Sequence, residues 1–110
     1  MPIDVKLVRH DWSTITGLPD PALGGTFDYA GDFDRLLPSW DDATFACWRF
    51  IDPEGDTFFN CLQMPVFIEE LDRLLPQAKP GPERNGMLRL RTMAEFSLLR
   101  PHQYLVFVGD

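Results

Sequence analysis

Pro65 and Pro76 frame the stretch that most constrains the fold of this chain. Around and between them Met64, Phe67, Ile68, Leu71, Leu74 and Leu75 recur at i, i+3, i+4, i+7, i+10 and i+11, the spacing of a single apolar stripe on an α-helix. Proline is favoured in the first helical turn, where its missing N–H is no loss, and it cannot extend a helix further along. The spacing predicts a helix opened by Gln63-Met64-Pro65 and closed at Pro76. Glu69 and Arg73 stand four apart on it in the favourable order, a pair worth about 0.2–0.5 kcal/mol. A helix with one apolar stripe needs a second layer to bury it.

Strand-like segments supply that layer. Ile3, Val5 and Leu7 alternate with Asp4, Lys6 and Val8, the period of a half-buried strand. His102 to Val108 is nearly continuous in apolar residues, as in the middle of a sheet. Thr44 to Ile51 is rich in β-formers, Asp52-Pro-Glu-Gly-Asp56 has turn chemistry, and Thr57 to Leu62 resumes the apolar run, which together predict a hairpin. Phe45, Cys47 and Ile51 would share one of its faces and Ala46, Trp48 and Phe50 the other, giving a sheet covered on both sides. Gln77 to Gly86 reads as a connector. A second helix then follows with Met87, Leu90, Met93, Ala94 and Leu98 on one side, ended by Pro101.

Upstream, Asp32 is placed to cap a short helix carrying Phe33, Leu36, Leu37 and Trp40 before Pro38 and Ser39 disrupt it. From Asp11 to Gly31 glycines and prolines leave no periodic element, and Trp12, Leu18, Leu23, Phe27 and Tyr29 are expected to pack that segment. The expectation is one α+β domain over 1–110. It has a roughly four-stranded sheet with a β-hairpin, two main helices packed on it and a central C-terminal strand.

Composition narrows the functional classes. Fourteen aromatic residues in 110 exclude disorder. The formal charge is −7, divided as −10 over residues 1–72 and +3 over 73–110, so no basic stripe offers itself to nucleic acid. The N-terminal residues lack a basic segment followed by an apolar run, and the longest apolar run, Tyr104 to Val108, is far too short for a membrane span. A cytoplasmic protein with no membrane contact is expected. Cys47 and Cys61 read as buried free thiols there.

Motifs that would carry chemistry are incomplete. Gly81-Pro-Glu-Arg-Asn-Gly86 has the glycine spacing of a phosphate loop, but Met87-Leu88 stands where Lys and Ser or Thr are required. Asp52-Pro-Glu-Gly-Asp56 groups three carboxylates without the alternating ligand pattern of a Ca²⁺ loop. His10 and His102 read as strand-end histidines, since no i, i+4 pairing or nearby third ligand makes them a metal centre. Ser13, Ser39 and Ser97 lack a nucleophile elbow. Asp32, Asp34, Asp41 and Asp42 include potential acid/base pairs, but read first as solvated acids. Neither catalytic residue nor cofactor nor metal is assigned.

A surface argument remains. Asp28, Asp32, Asp34, Asp41, Asp42, Asp52, Glu54 and Asp56 face only Arg35 and Arg49 in the same stretch, and Tyr29, Phe33, Trp40 and Trp48 are interleaved with them. Carboxylates that speed encounter beside an aromatic anchor that slows departure are the composition of an interface for a basic protein. The candidate partner-binding residues are therefore Asp28, Asp32, Asp34, Trp40, Asp41, Asp42, Asp52, Glu54 and Asp56.

The downstream half, with Asp56-Thr-Phe-Phe-Asn-Cys-Leu-Gln63, the Leu71 to Leu75 helix and His102-Gln-Tyr-Leu-Val-Phe-Val-Gly-Asp110, resembles a group of small bacterial proteins lacking an assigned activity. In size, acidity and α+β plan the chain is similar to immunity proteins of bacterial toxin systems. That resemblance implies an inhibitor that masks the basic active-site face of a toxin and needs no cofactor. Two other readings are a small enzyme or ligand-binding domain with a pocket near His10 and His102, and a subunit that is stable only within a larger assembly.

Overall fold

The computed structural model of the chain describes residues 3–15 and 33–109. β1 (Asp4–Arg9), β2 (Asp56–Asn60) and β3 (Gln103–Val108) form an antiparallel sheet in the order β1-β3-β2. The apolar strand that follows every other element in sequence thus lies in the middle. Val5 pairs with Phe107 and Leu7 with Leu105 on one side of β3, and Phe59 pairs with Leu105 on the other. With a side-chain period of two, this register gathers Ile3, Val5, Leu7, Phe59, Leu105 and Phe107 on one face, where all are buried.

α1 (Met64–Leu74) and α2 (Pro82–Ser97) complete an α+β architecture. Met64, Phe67, Leu71 and Leu74 of α1 and Met87, Leu90, Met93 and Ala94 of α2 join the buried sheet residues in one core. Phe67 is the hub of its aromatic part, with ring centroids 5.1 Å from Trp48, 5.3 Å from Phe59 and 5.8 Å from Phe107. Asn60 and Gln63 form a reciprocal cap at the entry to α1: the Asn60 side chain accepts the Leu62 and Gln63 amides, and the Gln63 side chain accepts the Asn60 amide. Pro65 lies in the first turn of α1, and a 3-10 turn over Leu75–Gln77 ends it. Arg91 of α2 grips Asp72 of α1 through two hydrogen bonds of 2.7 and 3.0 Å.

The sheet departs from the sequence expectation in one strand. Among the described residues it has three strands, because 44–51 folds into turns and a 3-10 helix over Trp48–Phe50 instead of a hairpin arm. Intrinsic β-preference is weak against a tertiary alternative, and here the alternative is the buried Glu70 carboxylate of α1. It accepts the amides of Ala46 (2.6 Å), Cys47 (3.0 Å) and Trp48 (3.0 Å), donors that a strand would have spent on a neighbour. The outer sheet face is covered only in part: Val8 and Val106 are buried there, whereas Phe58, paired with Val106, is 47% exposed. A single bridge, Val8 to Thr14, adds a short partner along the other edge of β1.

Two boundaries also move. α2 begins inside the expected connector, at Pro82, because Gly81 turns the chain with φ +103° and the Glu83 carboxylate accepts the Lys79 amide at 2.8 Å. Asn85-Gly86 is consequently helical, with Gly86 buried. The expected short helix is reduced to one 3-10 turn over 33–36, with Phe33 and Leu36 buried and Trp40 beyond it in solvent. Its expected cap Asp32, together with Asp28, Leu18, Leu23, Phe27 and Tyr29, lies outside the described residues. No helix among the described residues is long and apolar enough to cross a membrane.

Candidate partner-binding surface

Two back-to-back turns build the segment that carries Trp40. The Asp42 amide donates to the Ser39 carbonyl at 3.0 Å, and the Phe45 amide donates to the Asp42 carbonyl at 3.1 Å. Asp42 is also the clasp between them, because its Oδ1 accepts the Thr44 amide (3.0 Å) and the Thr44 hydroxyl (2.6 Å). These Thr44 bonds, hydroxyl first and amide next, hold the Asp42 carboxyl below the usual Asp range, and the nearby charges of Arg73 and Arg49 act in the same direction. The carboxylate is therefore ionised at neutral pH. Asp41 accepts the Ser39 hydroxyl, and Trp40, in the middle of the first turn, is 79% exposed.

Helix α1 fixes these turns from below. Arg73 donates to the Thr44 carbonyl, pairs with Glu69 at 3.1 Å and lays its guanidinium over the Phe45 ring at 4.4 Å. On the same helix, Glu70 holds the amides of 46–48. A large aromatic side chain is thus displayed on a loop whose backbone is tied to a helix, an arrangement that lowers the ordering cost of binding.

The second acidic group sits on another turn. The Gly55 amide donates to the Asp52 carbonyl at 3.3 Å, and the Asp52 carboxylate accepts the Glu54 amide at 2.9 Å. Glu54 and Asp56 are exposed there. The expected site residues thus divide into two kinds. Asp42 and Asp52 build their own turns, whereas Trp40, Asp41, Glu54 and Asp56 face solvent. Asp34 is half-buried on the 33–36 turn, and its carbonyl accepts the Leu37 amide. Asp28 and Asp32 lie outside the described residues. Of the aromatics interleaved with these acids, Phe33 and Trp48 belong to the core rather than to the surface. Arg35 does not serve the acidic stretch at all: it makes a two-pronged pair with Glu83 at the start of α2, at 2.9 and 2.6 Å.

Sequence reasoning missed a second aromatic surface, on the outer sheet face. Trp12, 61% exposed, stacks on Tyr104 at 5.8 Å and meets Phe58 edge-on at 5.4 Å. Alternation along β2 and β3 places Phe58 and Tyr104 opposite the core-facing positions, so this signal was legible once the register was known. Among the described residues no group of three or more His, Cys, Asp or Glu side chains is placed to hold a metal ion, and no cavity opens beside His10 and His102. The chain matches no protein-family model, no curated protein and no solved structure.

Proposed function

We propose that the chain is an acidic protein-binding domain that masks a basic partner, an inhibitor of the immunity type acting in the cytoplasm. Trp40 is its anchor, with Asp41, Glu54 and Asp56 as steering charges. The observation that carries this reading is Trp40 itself, 79% exposed at the tip of a turn that Asp42 and Arg73 hold in place. Large aromatics supply most of the energy at such interfaces, and a net charge of −7 favours a cationic partner.

The test is affinity capture of the tagged protein from its own cells, at low salt and again at about 0.5 M, where the screening length falls to roughly 4 Å. Wild type is compared with Trp40→Ala and with the pair Asp41→Lys and Glu54→Lys. A basic protein recovered in stoichiometric amount, weakened by salt and lost from both variants, supports the proposal. A partner retained equally by all three proteins overturns it.

A further inference from the structure

The only two histidines of the chain end up as neighbours, one ring edge-on to the other. β1 and β3 pair in the register Arg9 to Gln103, and one step beyond that pair lie His10 and His102. Their rings are 6.3 Å apart between centroids and inclined at 74°, and both residues are exposed. His102 holds this place with φ +65°, a left-handed conformation that side-chain-bearing residues seldom adopt. Trp12, which closes the turn after His10, is likewise at φ +69° and donates its amide to the Arg9 carbonyl at 2.8 Å. Strained backbone of this kind persists only where the surrounding structure enforces it. Here it fixes both ends of the corner on which the imidazoles meet.

We propose that His10 and His102 form a binding site for a divalent transition-metal ion of the borderline class, of which Zn²⁺ is the representative. Imidazole nitrogen is a preferred ligand of such ions, bound at about 2.0–2.1 Å, and two rings sharing a tetrahedral ion have centroids about 5 Å apart. Rotation of two exposed side chains closes the difference. Asp11 follows His10 in the turn, and its Oδ1 accepts the Ser13 hydroxyl at 2.6 Å and the Ser13 amide at 3.0 Å. Arg9, the nearest cation along the strand, is turned onto the Ser13 hydroxyl and the Thr14 carbonyl. Two protein ligands leave coordination positions open, which suits an exchangeable ion or one completed by a second molecule.

The experiment is calorimetric titration of the full chain with ZnCl₂ in a non-chelating buffer at pH 7.5, alongside His10→Ala, His102→Asn and Cys61→Ser. Asparagine is chosen at 102 because it tolerates positive φ. One saturable site in the wild type, unchanged in Cys61→Ser and weakened at least about tenfold by each histidine substitution, supports the proposal; tenfold corresponds to about 1.4 kcal/mol. A second readout needs no variant: paramagnetic Co²⁺ is expected to broaden the ring protons of both histidines before any signal from Asp41 or Asp42. No saturable binding up to 1 mM metal, binding that survives loss of both histidines, or Co²⁺ broadening that begins elsewhere would each overturn it.

Discussion

Trp48 is tied to Glu70 through its backbone and to the same helix through its ring. Its amide donates to the buried Glu70 carboxylate at 3.0 Å while its indole N–H donates to the Phe67 carbonyl at 3.1 Å. Glu70→Gln keeps the size of the side chain but replaces an acceptor oxygen with an NH₂ group aimed at amide donors. Hydrogen bonds to a charged group are worth about 1.5–3 kcal/mol each, and a loss of stability on the order of 2–3 kcal/mol is expected. Urea unfolding followed by tryptophan fluorescence measures it, and an unchanged midpoint would refute the role given to Glu70.

Gly109 is a position where the fold admits no side chain. Its amide donates to the Gly55 carbonyl at 2.7 Å, and a Cβ there would lie 2.6 Å from both the N and the O of Gly55 and 2.7 Å from the Asp52 carbonyl oxygen. All three are backbone atoms, so relief requires the turn to move. Gly109→Ala is expected to lower stability by about 1–3 kcal/mol, the range for overpacking. Thermal melts that overlay those of the wild type would contradict this.

The two cysteines should separate by reactivity. Burial, and then the charge of Glu70, push the Cys47 thiol up to about 11, so almost no thiolate exists there at pH 8, whereas Cys61 is half-buried. Native protein treated with an alkylating reagent at pH 8 is expected to label at Cys61 first, with Cys47 reacting only after denaturation. Mass spectrometry of the labelled peptides decides, and the reverse order would be inconsistent with the structure.

Acid should weaken the helix pair and the 33–36 turn through specific carboxylates. Arg91 beside Asp72 and Arg35 beside Glu83 hold both carboxyls below their usual ranges in the folded chain. Their contribution is fully present above the unfolded carboxyl values, about 3.9 for Asp and 4.3 for Glu, and is lost as pH falls through the lower folded ones. Stability measured from pH 7 to pH 2.5 should therefore hold to about pH 5 and decline below it. In the double variant Asp72→Asn, Glu83→Gln that decline should be shallower.

Binding kinetics distinguish the anchor from the steering charges. With a partner in hand, Trp40→Ala is expected to cost about 2 kcal/mol, roughly thirtyfold, and to act on dissociation. Asp41→Lys with Glu54→Lys should instead slow association and flatten its dependence on salt. Melting temperatures should stay put in both cases, since Trp40, Asp41 and Glu54 are all exposed.

What could be read in advance followed from periodicity. The stripes of α1 and α2, the alternation of β1 and the apolar run of β3 are local patterns, and each became the element it indicated. The segment 44–51 carried an equally local β signal and did not, because its fate rests on Glu70, more than twenty residues away. Neither burying Trp48 nor exposing Trp40 could be told from two tryptophans in similar surroundings, and that difference decides which of them can meet a partner. The histidine pair was illegible for another reason. It depends on the register of two strands at opposite ends of the sequence, and spacing along the chain carries no information about register.

The order β1-β3-β2 also determines when the fold can exist. Among the described strands β3 alone pairs with both β1 and β2, and it is the last of the described elements to be synthesised. Until it emerges from the ribosome, β2 has no strand partner among the described residues and β1 has the Val8–Thr14 bridge alone, while α1 and α2 can already form from local contacts. The sheet then assembles late, in one step that joins the beginning of the described chain to its end, and such distant closure is slow. Throughout that wait, the face that will carry Val5, Leu7 and Phe59 into the core is open to whatever else is in the cell.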